Sequence, residues 1–148
     1  MAANFTAEGP IGAVAFMVGA AAASNLTSGA SNQITWNNEI YDTGGNFGSN
    51  VFTAPVAGKY LICLSFYNTS VDRDAAYVET VMVTSNRSIS FIFDPGPLAT
   101  DPVYWGTAHS HVCQMDAGDT ATGKVVPGSG ASQQDLGGDS WISGALLS

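Results

Sequence analysis

The sequence predicts an all-β fold, two antiparallel sheets closed into a sandwich or barrel. Three observations carry that expectation. Short runs rich in Val, Ile, Phe, Tyr and Thr are separated by clusters of Gly, Asn, Asp and Pro, the punctuation of an antiparallel sandwich. No window sustains an amphipathic helix; the Ala20–Ala23 run has helical propensity but is too short to nucleate one. The segment Tyr60-Leu61-Ile62-Cys63-Leu64 is apolar at every position, although a strand with one wet face alternates apolar and polar residues.

The runs place strands at 12–19, 33–37, 49–54, 59–67, 76–84, 88–93, 107–115, 119–126 and 140–147. Residues 1–11, "MAANFTAEGPI", read as an extended arm ending at Gly9-Pro10, leaving 12–148 as one domain. The segment 11–24, "IGAVAFMVGAAAAS", has the look of a signal-peptide core. Its first following cation is Lys59 and Glu8 lies just upstream, so the basic flank of a signal is missing. It is also too short to span a bilayer, and a buried first strand is the better reading. "GGNFG" at 44–48 is a turn; it lacks the Lys-Ser/Thr of a phosphate loop. Pro55 and Gly58 set the start of the apolar strand, since Pro cannot donate to a ladder. Two long connections follow, "DPGPLATDPVYWG" at 94–106 and "PGSGASQQDLGGDS" at 127–140, the second polar and expected on the surface.

Composition narrows the partners. With 148 residues the chain is long enough for one domain that buries about 70% of its unfolded surface. Apolar residues are 45% and charged residues only 11%, which excludes a disordered chain. Four Lys+Arg against twelve Asp+Glu give a net charge of -8. Such a surface is repelled by nucleic acid and by anionic lipid. Sequons at Asn4, Asn25, Asn68 and Asn86 matter only in a eukaryotic secretory pathway.

"TWNNEIYDTGGNF" followed by "VFTAPVAGKYLICLSF" resembles the C1q globular-head family, a relative of the tumour-necrosis-factor jelly rolls. Ala15-Phe16 resembles that family's first strand, "MDAGDTATGKV" at 115–125 its Leu-x-x-Gly-Asp pattern, and the closing "SWISGALLS" its aromatic-Ser-Gly-x-Leu-Leu ending. The matches run in family order over residues 15–147. Trp36 and Trp141 stand where Phe is usual, Ile62 and Leu64 replace aromatics, and no collagen-like stretch is present, so the resemblance is to a distant, stalkless member.

The resemblance implies a ten-stranded, two-sheet jelly roll assembled as a compact homotrimer. A strand apolar on both sides then has a purpose, one face in the protomer core and the other against neighbouring subunits. The bulkier parity, Tyr60, Ile62, Leu64 and Phe66, is expected to face the core. The smaller parity, Leu61, Cys63 and Ser65, is expected at the trimer interface. Gly58 would permit a tight turn, and Tyr60, Ile62, Trp141 and Leu146 would be core anchors. The family sets the strands of Cys63 and Cys113 side by side, but the two side chains fall on opposite parities. A bridge is thereby forbidden, and two free thiols are expected.

Sites for chemistry are few. His109, His111 and Cys113 share a strand face, which makes a His-x-His-x-Cys metal site conceivable. Zinc wants a fourth ligand that no second cluster supplies, and satisfied structural histidines are expected instead. "VDRD" at 71–74 with Asp94 and Asp101 leaves calcium open, although such Asp pairs are common in turns. No nucleophile elbow is present. No catalytic residue, metal or cofactor is assigned, and no enzyme is expected.

The function expected is a structural homotrimer on a virion, a capsid decoration (cement) protein of a bacterial virus with a viral capsid protein as partner. The alternative is a recognition module, a tail-fibre head or an extracellular C1q-like head binding glycan or protein, with Tyr104 and Trp105 as loop anchors. Neither involves nucleic acid or membrane. Residues 1–11 carry little apolar periodicity, so their deletion is expected to leave the melting temperature almost unchanged while weakening attachment to a particle. Thermal melts and particle-binding assays on the truncated protein check both halves.

Overall fold

The computed structural model describes residues 14–131 and 133–148, and in these the regular structure is entirely β. The expected arm 1–11 lies outside the described residues. The strands are β1 Ala15–Ala20, β2 Asn32–Gln33, β3 Trp36–Asp42, β4 Phe47–Gly48, β5 Val51–Thr53 and β6 Gly58–Thr69. They continue with β7 Val78–Thr84, β8 Ser88–Phe93, β9 Tyr104–Met115, β10 Thr120–Pro127, β11 Asp135–Leu136 and β12 Trp141–Leu146. Twelve are assigned where the sequence runs give nine and the C1q resemblance implies ten; β2, β4 and β11 are two-residue pieces.

Two antiparallel sheets result. In the first, β6 pairs along its whole length with β9 on one side. On the other side it meets β12 and, past the end of β12, β11. β1 follows β12, and β3 forms the far edge. The second sheet runs β4-β5-β10-β7-β8, with β2 on the β5 side of β10. The chain stays in one sheet only at β4 to β5, β7 to β8 and β11 to β12 and crosses at every other connection between the assigned strands, the winding of a jelly roll.

The inward faces make one core. Tyr60, Ile62, Leu64 and Phe66 alternate along β6 at no more than 2% exposure, as the bulkier parity requires. Phe52 stacks on Phe16 with centroids 4.5 Å apart and tilts against Tyr60 at 5.5 Å. Trp36 meets Phe66 at 6.4 Å. Gly123 of β10 makes room for them: a Cβ there would lie 3.0 Å from both Leu64 and Trp36. Each large side chain buried this way contributes about 1.5–3 kcal/mol relative to exposure.

Two core expectations need correction. Trp141 is only half-buried and sits on the outer face of the first sheet, because Ile142, at 0% exposure, takes the inward parity. Trp141 pairs with Gly19 and Ser65, and its indole lies over Gly19, where a Cβ would come within 2.9 Å. Gly58 is required for space, not for a turn: a Cβ would meet Leu146 Cδ1 and the Ser148 carbonyl at 2.6 Å. Leu146 itself is buried at 6% exposure.

The polar connection at 127–140 is less superficial than its composition suggests. Leu136 is 2% and Gln134 1% exposed. β11 ties Leu136 to Asn68 and, through an isolated bridge, to Ala23. Gln134 Nε2 donates to Asn68 Oδ1 at 3.1 Å, and Asn68 Nδ2 donates to the Trp105 carbonyl at 3.3 Å. Asn68 is thus fully buried.

Tyr60 is the most sensitive core position. Its ring is buried and its hydroxyl donates to the Val56 carbonyl at 2.8 Å. Tyr60→Lys places an unpaired ammonium in this core at several kcal/mol, about the margin of domain stability. The variant is expected to give insoluble protein, checked by solubility and circular dichroism of any soluble fraction.

Candidate functional site

Because side chains alternate, burying Tyr60, Ile62, Leu64 and Phe66 forces Leu61, Cys63 and Ser65 onto the outer face. They are half-buried or exposed there. Register brings the outward residues of the flanking strands alongside: Val112 opposite Leu61 and Ser110 opposite Cys63 on β9, Ala145 and Ser143 on β12. The face is made of small and apolar side chains, and Val112 is 59% exposed on it. A shallow depression of ≈ 290 Å³ opens at its centre between Cys63, Ser65, Ala108, Ser110, Trp141 and Ser143. None of these carries a charge. Lys59 is displaced to the end of β6.

Tyr104 and Trp105 are not a loop pair. They open β9, so they point to opposite sides of the first sheet. Tyr104 is 64% exposed and lies parallel to Tyr67 on the outer face, centroids 5.7 Å apart. Trp105 turns inward and stacks on Phe93 of β8 at 3.9 Å and 8°. Only Tyr104 is available as an exposed anchor. The sequence signal was there, since strand parity separates any two adjacent residues, but the prolines before them suggested a loop.

The titratable motif of β9 faces inward. His109, His111 and Cys113 continue the parity of Thr107 and Met115, which are buried. The expectation of satisfied structural histidines fails for His109, because both of its ring nitrogens are buried without a hydrogen-bond partner. The ring instead stacks on Phe66 at 6.1 Å and meets His111 edge-on at 5.9 Å. Desolvation first, and then the neighbouring His111, hold the His109 pKa below the ordinary value. Burial pushes the Cys113 thiol up, opposed in part by Arg87. Among the described residues no three His, Cys, Asp or Glu side chains converge as a metal site.

The acidic loops serve the backbone. Asp72 Oδ1 accepts the Asp74 N–H at 2.8 Å, Asp101 Oδ1 the Arg73 N–H at 3.0 Å and Asp94 Oδ1 the Gly96 N–H at 2.9 Å. The Arg73 guanidinium donates to the Ala99 carbonyl at 2.8 Å. These bonds tie the 71–74 and 94–101 loops together, which accounts for the Asp pairs that left calcium open.

No protein-family model matches the chain, and no curated protein matches it. Solved structures do. The globular domain of zebrafish complement 1qA protein is 17% identical, covering 91% of this chain and 97% of that one, with a TM-score of 0.66. Murine APRIL at pH 8.0 is 12% identical over 90% of this chain and 98% of that one, TM-score 0.65. Murine APRIL at pH 5.0 gives 13% identity, the same coverage and 0.62. The chain therefore has a C1q/tumour-necrosis-factor-like jelly-roll fold.

Cys63 lies on the outer face and Cys113 in the interior, and both are free thiols. Alkylation of unfolded, unreduced protein is expected to add two labels per chain by mass spectrometry. A Cys63–Cys113 bridge would give none and would contradict the strand parity.

Proposed function

We propose that this C1q/tumour-necrosis-factor-like chain is a non-enzymatic assembly module that works as a homotrimer through the outer face of its first sheet. The observation that carries the reading is the uncharged, small-residue face around Leu61, Cys63 and Ser65, with its central depression. Fully solvated strands alternate with polar or charged residues, whereas a face covered by other subunits does not. The trimer implied by the C1q resemblance supplies such a cover, with one pair of complementary surfaces repeated about a three-fold axis.

The setting we propose is a virus particle, where a small trimer matches local three-fold axes of an icosahedral capsid. Decoration of the capsid follows, because each weak contact is repeated three times. What supports this is the three-fold symmetry proposed for the assembly. A second reading, a recognition module, is favoured by one feature: Tyr104, backed by Tyr67, offers an exposed aromatic surface on which a sugar ring or a partner side chain can stack. Copy number separates them. Hundreds of copies per particle mean decoration, a few mean a fibre head, and presence only in the medium means a soluble module.

Assembly is tested directly. Multi-angle light scattering is expected to give about three times 15.2 kDa. Leu61→Lys puts three ammonium groups near the axis, where desolvation and mutual repulsion cost several kcal/mol. That variant is expected to lose the trimer and to show concentration-dependent stability. A monomeric parent chain, or a fully stable trimeric variant, sinks the interface.

A further inference from the structure

The inward side of β9 carries a feature the assembly reading does not use. Among the described residues β9 is bonded only to β6, at the edge of the first sheet, and β8 only to β7, at the edge of the second; the two edges face one another across the core. Trp105 stacks on Phe93 at one end of this seam. At the other, Arg87, just before β8, acts electrostatically on Cys113. In between, Thr107 Oγ1 donates to Thr80 Oγ1 of β7 at 3.3 Å. The two strands therefore run in opposite directions across this seam, and the β8 residues that share the parity of Phe93 between its ends are Phe91, 45% exposed, and Ile89, half-buried.

His109 lies in this seam, half-buried and stacked on Phe66, with both ring nitrogens buried and lacking a hydrogen-bond partner. From β6 it is faced by Ile62, Leu64 and Phe66, and from β7 by Thr80 and Met82. The ionisable groups on this side are His111, Cys113 and Arg87, with Tyr60 beyond Cys113. None of them is an anion near neutrality. A proton on His109 would bring a charge into this layer with a second imidazole 5.9 Å away and, among the described residues on this side, no counter-charge.

We propose that the β8–β9 seam is an acid-sensitive latch, closed while the His109 imidazole is uncharged and released when it takes up a proton. The inference rests on the sandwich and not on the trimer. Its direction follows from linkage. Folding lowers the proton affinity of His109, so the unfolded or opened chain binds the proton more readily. The stabilisation is complete above the ordinary histidine range and is lost as pH falls through about 6.5 towards the lower folded value. With only two histidines in the chain, few other side chains change charge in that window.

The test is the melting temperature of the full chain at about pH 7.5 and about pH 5.5. The parent protein is expected to lose roughly 4 °C or more on acidification, and His109→Phe, which keeps the stack on Phe66, is expected to lose less than half as much. Hydrogen exchange at the lower pH is expected to rise first in β8 and β9, with the β1–β12 pair still protected. A variant that retains the whole drop overturns the proposal, as does exchange that rises evenly over both sheets. If the variant does not fold, NMR titration of the parent decides: a His109 Cε1–H midpoint at the ordinary value overturns it, and one well below supports it.

Discussion

The register of β6 is the constraint on which the rest of the molecule depends. All twelve of its residues are paired with β9, and its opposite edge holds β12 and β11. A slip by one residue would turn Leu61, Cys63 and Ser65 inward and push Tyr60, Ile62, Leu64 and Phe66 out. The difference in bulk between the two sets forbids that. The inward set fills the space under Phe52 and Trp36, which three smaller side chains would leave empty. Once β6 is fixed, β9 is fixed with it, and so are the outward Val112, the inward His109 and the split between Tyr104 and Trp105.

Much of this was legible in the sequence, because period-two alternation is strong wherever one face is bulky. The continuous apolar run from Tyr60 to Leu64 announced a strand with two dry faces, and size sorted them. The reading failed where local composition and tertiary context disagree. Residues 38–42 carry Asn, Glu and Asp and are largely exposed on both sides, so β3 offers no alternation; it exists because β1 has an edge to pair. Leu136 is a single apolar residue in a polar stretch, too little to signal a strand, yet it reaches the core. The C1q resemblance places Trp141 in the core, but Gly19 supplies an outward berth that only the paired register reveals.

The two ends of β9 show different ways of handling polarity indoors. Near its start, the Trp105 carbonyl, Asn68 and Gln134 form a hydrogen-bonded chain that pins the 127–140 connection to the sheet. Such a network favours one closed arrangement, since breaking any link strands a buried amide. Towards the middle, His109 has no such partner and is held by ring contacts alone. The first device resists change; the second makes the sandwich edge responsive to its surroundings.

The burial of Asn68 also sets folding against modification at one glycan acceptor. Asn68-Thr69-Ser70 reads as a glycan acceptor, but in the fold its side chain is inaccessible and both sides of the amide are engaged. An oligosaccharide attached there during translocation would have to be accommodated where Gln134 and the Trp105 carbonyl sit, and β11 could not close over it. Asn25 and Asn86 are exposed, although the Asn86 amide donates to Asp119 Oδ2 at 2.7 Å. For a eukaryotic secretory route, completion of the β6–β9–β11 region thus competes in time with the glycosylation machinery. In a bacterial cytoplasm that race does not exist.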